Sequence, residues 1–170
     1  PKPYMQSSEI LSEAAHLLRR LHDITQHFEV PDDAVFMLPD IPQQPHEVIC
    51  HNDFALYNCV FKDHHLVGII DFDTAGPGSR VWDIAYAVYR FVPLMHDAHC
   101  QENGWRAPDR VGRLKLFCEA YGLEDRVARA ALIDTVIARL EALIGYIRHT
   151  STTPEHLPVY LQDIDYVREN

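Results

Sequence analysis

The sequence predicts a single domain of the mainly helical α+β class that contains a small β-hairpin. Apolar residues recur at helical spacing in several long segments. Two short apolar runs, 58–61 and 66–70, flank a short polar stretch, which is typical of a hairpin. The chain has 170 residues, of which 47% are apolar. This composition favours one ordered core over disorder.

Apolar spacing and end signals place the helices in order along the chain. Helices are predicted from about Glu9 after a capping serine, at Arg80–Phe91, from Asp109 to Tyr121, and from Glu124 or Asp125 to about His149. A last amphipathic segment starts at Pro154. His22-Asp23 is expected to be a polar helix end. The proline-rich stretch 30–45 predicts an ordered loop, and 95–108 is expected to be irregular. Gly76-Pro77-Gly78 is expected to break the chain before the second helix.

A spaced series of polar residues between Val48 and Asp83 carries the chemistry. The predicted hairpin brings Asn58 and Asp71 to the same end of a two-stranded ribbon. Oxygen ligands converging there suit Mg²⁺, which takes one or two protein carboxylates together with phosphate oxygens and water. Asp53 lies in the preceding loop, where it can accept a proton. A base beside a metal is the layout that phosphoryl transfer requires.

The sequence His51-Asn52-Asp53, followed after four residues by Asn58 and later by Ile70-Asp71-Phe72-Asp73, resembles the aminoglycoside phosphotransferase and choline kinase-like family. The longer run also resembles bacterial phosphotransferase-like proteins of the trifolitoxin-immunity type. The resemblance implies the C-terminal lobe of a protein-kinase-like fold. It assigns Asp53 as catalytic base, Asn58 and Asp71 as Mg²⁺ ligands, and ATP as phosphate donor. It makes His51 and Asp83 supports of the site.

Five further residues are candidates for substrate contacts: Asp73, Trp82, Tyr86, Glu102 and Trp105. Asp73 stands where protein kinases have Gly, so it is a second candidate to face the metal. The aromatic stripe through Trp82 and Tyr86 suits a cage for a quaternary ammonium group. Stripes of this kind are more often part of a core. Glu102 and Trp105 lie in the region that forms the substrate side in the resembled family.

No Gly-rich phosphate loop and no strand with an ATP-pairing Lys precede the motifs. The N-terminal nucleotide-binding lobe is therefore expected to be absent from residues 1–170, and the isolated chain is expected to be a poor catalyst. The main hypothesis is the catalytic lobe of an ATP-dependent small-molecule kinase. The alternative is a non-catalytic binding or immunity protein on the same lobe. A third interpretation takes every polar residue of the series as structural.

Charge and cysteine content bound the partners. A net charge of −10 argues against nucleic acid and is compatible with a cationic hydroxyl substrate, although acidic surfaces also serve solubility. The four cysteines form no C-x-x-C pair, and Cys50 and Cys59 are interpreted as buried thiols in a reducing compartment. No apolar run reaches the length of a membrane span, so a cytoplasmic protein is expected. Self-association through the surface that a second lobe covers is also expected.

Overall fold

The computed structural model describes residues 2–38 and 46–170, and within them the fold is mainly helical with two small antiparallel sheets. The helices are α1 Ser8–Thr25, α2 Arg80–Phe91, α3 Asp97–Glu102, α4 Arg110–Tyr121, α5 Arg126–Thr150 and α6 Leu157–Glu169. Short 3-10 turns cover Pro3–Gln6, Leu56–Asn58 and Pro154–His156. The strands are β1 Val48–Cys50, β2 Cys59–Lys62, β3 His65–Ile69 and β4 Gly76–Gly78.

The helices pack pairwise around one main core. Helix α1 packs against α4, and α5 packs against both α2 and α6. Phe54 of the loop after β1 enters this core, with its ring centroid 4.9 Å from that of Phe91, which lies 6.5 Å from Phe117. The segment that carries Asp53 is therefore anchored by a fully buried aromatic ring. No helix within the described ranges is long and apolar enough to cross a bilayer.

The predicted hairpin is confirmed as β2 paired antiparallel with β3. The backbone N–H of Ile70 donates to the carbonyl of Asn58 at 3.0 Å, so the register places Asp71 one residue beyond the partner of Asn58. The expected chain break at Gly76-Pro77-Gly78 is wrong, because these residues form β4 and pair with β1. Pro77 lies opposite Ile49, and a two-stranded sheet tolerates the missing N–H. This pairing ties the start of the Asp53 loop to the start of α2.

Local end signals predict the helix boundaries well. The side chains of Ser7, Asp109 and Asp125 each accept a hydrogen bond from the first turn of α1, α4 and α5, and Gly122 ends α4 with φ of 76°. Residues 95–108 are not wholly irregular, because they contain α3. A helix of six residues is too short to show apolar periodicity. In the predicted loop, residues 30–38 form no helix or strand, and 39–45 lie outside the described residues.

Candidate functional site

Asp53 is held by two donors, one on each carboxylate oxygen. The amide nitrogen of Asn58 donates to Oδ2 at 2.9 Å and also to the Asp53 carbonyl at 2.9 Å. The Tyr57 hydroxyl donates to Oδ1 at 2.5 Å. Tyr57 comes from the 3-10 turn that follows the loop, and a sequence reading for motifs overlooks it. Both acceptors of Asp53 are thus oriented by residues four and five positions later.

Asp83 braces the loop from below. Its Oδ2 accepts the backbone N–H of His51 at 2.8 Å, and its Oδ1 accepts that of Asn52 at 2.9 Å. Burial raises the pKa of this fully enclosed carboxyl. The hydrogen bonds from His22 and from the two backbone N–H groups more than offset that effect, so the pKa lies below its ordinary value. Asp83 is therefore an ionised acceptor that fixes the backbone leading into Asp53.

A chain of side chains extends this brace to the surface. Nε2 of His22 lies 3.0 Å from Oδ2 of Asp83, and Nδ1 lies 2.6 Å from the Tyr121 hydroxyl. Arg80 donates to the same hydroxyl at 3.4 Å. Burial raises the pKa of Tyr121 to about 12, so its hydroxyl stays protonated and can donate to His22. The prediction of a polar helix end at His22 is wrong. The residue is completely buried and continues the apolar stripe of α1 through Leu18, a spacing that the sequence does contain.

His51 connects the Asp53 loop to the segment after β3. Its Nδ1 accepts the backbone N–H of Asp53 at 3.2 Å, so Nε2 carries the proton and donates to the carbonyl of Ile70 at 3.0 Å. Its ring packs against Phe72, with the centroids 4.7 Å apart. Thr74 adds a second connection, because its hydroxyl donates to the His51 carbonyl at 3.0 Å. The fold therefore fixes the Asp53 loop and the segment around Asp71 relative to each other.

Arg139 of α5 also holds this loop through a hydrogen bond. Its Nη2 donates to the carbonyl of Asn52 at 2.6 Å. Asn52 has φ of 65°, in the left-handed region that Asn tolerates better than most residues. The N–H of Asn52 is held by Asp83 and its carbonyl by Arg139, so the backbone on both sides of Asn52 is fixed. Neither the spacing nor the composition of α5 signals this contact.

Trp82 and Tyr86, two predicted substrate residues, are 2% and 4% exposed. The Arg139 guanidinium lies over both rings, 5.4 Å and 5.0 Å from their centroids. The cation that such a pair of rings attracts is therefore supplied by the protein itself. The Tyr86 hydroxyl lies 3.1 Å from that of Tyr57, so Tyr86 contacts the site only through its hydroxyl group.

The residues present fit a magnesium ion. Both partners of the Asn58 amide nitrogen are acceptors, which fixes the amide orientation and leaves Oδ1 for a cation. Asp71 and Asp73 are exposed, and within the described residues no hydrogen bond or ion pair engages either carboxylate. Asp71 has φ of 67°. No three His, Cys, Asp or Glu side chains of the described ranges converge as a metal cluster. An amide and one or two carboxylates are the few protein ligands that Mg²⁺ takes.

A cavity of about 250 Å³ opens beside Tyr57. It is lined by Met5, Leu56, Tyr57, Arg90, Met95, Asn103 and Trp105. Trp105, predicted as a substrate contact, belongs to this wall and is 5% exposed. Glu102, the other residue predicted in this region, is exposed at the end of α3 and does not line the cavity. The Tyr57 ring forms part of the wall while its hydroxyl contacts Asp53.

Comparison with known proteins identifies relatives of the chain. A trifolitoxin immunity protein from Rhizobium leguminosarum bv. trifolii is 29% identical over 141 residues, which cover 81% of this chain and 52% of that protein. An aminoglycoside 3'-phosphotransferase from Escherichia coli is 32% identical over 72 residues, which cover 41% of this chain and 27% of the enzyme. The chain thus spans about half or less of the curated relatives it matches.

No solved structure matches the chain. The family model for the phosphotransferase enzyme family matches residues 35–132, more than half of the chain and all of the segment from Asp53 to Asp83. The chain belongs to the phosphotransferase enzyme family.

Proposed function

We propose that the chain forms the kinase-like catalytic lobe of an ATP-dependent small-molecule phosphotransferase. The observation that carries this proposal is the oriented carboxylate of Asp53, held by Asn58 on a loop that Asp83 and Arg139 fix. Phosphoryl transfer depends almost entirely on positioning and charge stabilisation, and this arrangement supplies positioning. The activity of the whole protein is part of the proposal.

In the proposed reaction, Asp53 acts as the base. The acceptor hydroxyl gives its proton to Asp53 while its oxygen bonds to the γ-phosphorus of ATP. The bond from that phosphorus to the bridging oxygen breaks, and ADP leaves. Asn58 and Asp71, with Asp73 nearby in sequence, would hold Mg²⁺, which neutralises charge on the phosphates. The acceptor hydroxyl has to replace the Tyr57 phenol, which occupies Oδ1 of Asp53 in this structure.

Calorimetry with Mg-ATP tests the proposal. The wild-type chain is expected to bind ATP with an affinity that depends on Mg²⁺, and Asn58→Ala or Asp71→Ala should weaken that dependence. Asp134→Ala, which removes an exposed carboxylate of α5 outside the candidate site, serves as the control. Mg²⁺ dependence that survives both substitutions would remove Asn58 and Asp71 from the metal site.

A second candidate function is a non-catalytic binding or immunity protein. The observation that favours it is the similarity to the trifolitoxin immunity protein, which extends over 81% of this chain. A pure binder has no need of an oriented carboxylate with an amide ligand beside it. The same calorimetry separates the two functions: metal-independent affinity for a peptide, with no affinity for Mg-ATP, would favour the binder.

Self-association is a further proposal, based on apolar side chains of the hairpin and the following segment. Val67, Ile70 and Phe72 are 55%, 50% and 45% exposed. Large apolar side chains exposed within six residues of one chain segment favour contact with another protein surface. Sedimentation velocity of the chain should show a dimer fraction that grows with concentration, and a single monomeric species at all concentrations would contradict the proposal.

A further inference from the structure

We infer that the cavity beside Tyr57 binds the acceptor and that it selects a small molecule with an apolar ring and an anionic group, which Arg90 recognises. The inference rests on the proposed phosphotransferase function for the word acceptor, and on the geometry of the cavity for the chemistry of the ligand. It reverses the expectation of a cationic substrate that the net charge of the chain suggests.

The charge at the cavity wall is positive and unpaired. Arg90 lines the cavity and is partly exposed. Its guanidinium lies 5.3 Å from the ring centroid of Tyr57 and 5.6 Å from that of Tyr89. Within the described residues it forms no salt bridge and donates no hydrogen bond. A guanidinium has five N–H donors, so a carboxylate or phosphate of a ligand can accept from them in place of water.

The groups around Arg90 do not neutralise it. The rings beside it are the phenols of Tyr57 and Tyr89, and a phenol carries no charge at pH 7. The carboxylate of Asp53 accepts hydrogen bonds from Tyr57 and Asn58 and forms no ion pair with Arg90. An anionic ligand therefore meets a guanidinium that no carboxylate of the described residues pairs with.

The other lining residues indicate the polarity and the size of the ligand. Leu56, Met95 and Trp105 supply an apolar surface, and Asn103 adds an amide. Among the described residues no Asp or Glu lines the cavity, so it offers an ammonium group no carboxylate partner. A cavity of about 150 Å³ is enough to hold benzene. The 250 Å³ present here accommodates one ring with a charged substituent. A polycationic molecule does not match the positive charge of its wall.

The cavity also lies in the right place for an acceptor. Tyr57 contributes its ring to the cavity and its hydroxyl to Oδ1 of Asp53. A ligand that moves this ring aside gains access to the base with its own hydroxyl. Its anionic group stays on Arg90. The two ends of the acceptor are thus recognised by two different residues.

The test uses three phenols of similar size and different charge: para-hydroxyphenylacetate, tyramine and para-ethylphenol. The chain is titrated with each phenol in the absence of ATP, and the two tryptophan indole N–H signals are followed by NMR. Trp105 lines the cavity, whereas Trp82 is buried beneath the loop and serves as an internal control. The Trp105 signal should shift with para-hydroxyphenylacetate at a concentration about tenfold lower than with tyramine, since one charge-assisted contact is gained.

Variants identify the group responsible. Arg90→Gln should bring the ratio between the two ligands close to one, and Arg90→Lys should keep a preference for the carboxylate. Arg148→Gln removes the same charge from an exposed position outside the cavity and should leave the ratio unchanged. Equal or tighter binding of tyramine, or the absence of any Trp105 shift with all three phenols, would overturn the inference. Because no ATP is present, these outcomes do not bear on the proposed phosphoryl transfer.

Discussion

Replacing Asp83 by Asn should separate the stability of the fold from the positioning of Asp53. Asp83 accepts three hydrogen bonds: from His51 N–H, Asn52 N–H and His22. An Asn side chain keeps one oxygen, which can take the Oδ2 position and still accept hydrogen bonds from His51 N–H and His22. Its NH₂ group then faces the N–H of Asn52, donor against donor.

The magnitude follows from that count. One charge-assisted hydrogen bond is lost, which costs about 1.5–3 kcal/mol, and one buried donor is left unsatisfied at about 1–3 kcal/mol. The expected loss of unfolding free energy is about 3–5 kcal/mol, a large fraction of the stability of a domain. With a urea slope of about 2 kcal/mol/M, the unfolding midpoint should fall by roughly 2 M.

Asp163→Asn is a matched control. Asp163 is equally buried and also engages three groups: Tyr89 OH at 2.6 Å, His96 N–H at 2.8 Å and His99 Nδ1 at 2.7 Å. It should lose a comparable amount of stability without contact to the Asp53 loop. Urea unfolding and amide hydrogen exchange at residues 51–53 are measured on both variants. Faster exchange at 51–53 in both variants alike, or a loss below about 0.5 kcal/mol for Asp83→Asn, would refute this reasoning.

Three further predictions concern the same loop. Tyr57→Phe frees Oδ1 of Asp53, so a water molecule can take the place of the phenol and the rate of Mg-ATP hydrolysis should rise several-fold. An unchanged rate in a phosphate-release assay would mean that the phenol does not block the base. Arg139→Met should change the unfolding free energy by less than about 2 kcal/mol, because the lost hydrogen bond to the Asn52 carbonyl is offset by removing a buried cation. Amide hydrogen exchange at residues 52–53 should still accelerate, and unaltered exchange would contradict the role of Arg139 in holding the loop. The pKa of Asp83 is lowered in the folded state, so its contribution to stability is present above about pH 4, the unfolded pKa, and is lost as the pH falls through the lower folded pKa. The NMR shifts of the amides of residues 51 and 52 should therefore stay constant from pH 7 to about 4 and change only below it. A transition above pH 5 would contradict the lowered pKa.

Sequence reasoning reached those features that short-range signals determine. The hairpin could be predicted because two apolar runs and a polar turn are contiguous, and helix ends could be predicted because their caps lie within one turn. The same reasoning missed β4, since Gly76-Pro77-Gly78 reads as a turn until a partner strand is known. A short strand of this kind depends on tertiary pairing and has no signature of its own.

The residues of the candidate site divide in the same way. The placement of Asp53, Asn58 and Asp71 on one loop and one hairpin could be predicted, because their spacing is local. Arg139 could not be found, because it reaches Asn52 across 87 positions of the chain. His22 could have been found, because it continues the buried stripe of α1, and a histidine on an apolar stripe needs a buried partner.

The most direct test of the proposed function is phosphate transfer by the protein as its native cells produce it, with and without Asp53→Asn. Radiolabelled γ-phosphate from Mg-ATP is followed into acid-stable product with extracts of small hydroxyl compounds, and Mg-ATP affinity is measured alongside by calorimetry. The wild type is expected to form a labelled product, and Asp53→Asn should lose this activity by at least about a hundredfold while keeping its affinity for Mg-ATP. Full transfer by Asp53→Asn would contradict the role of Asp53 as base. A wild type that neither binds Mg-ATP nor transfers phosphate would contradict the phosphotransferase function and leave the binding protein in its place.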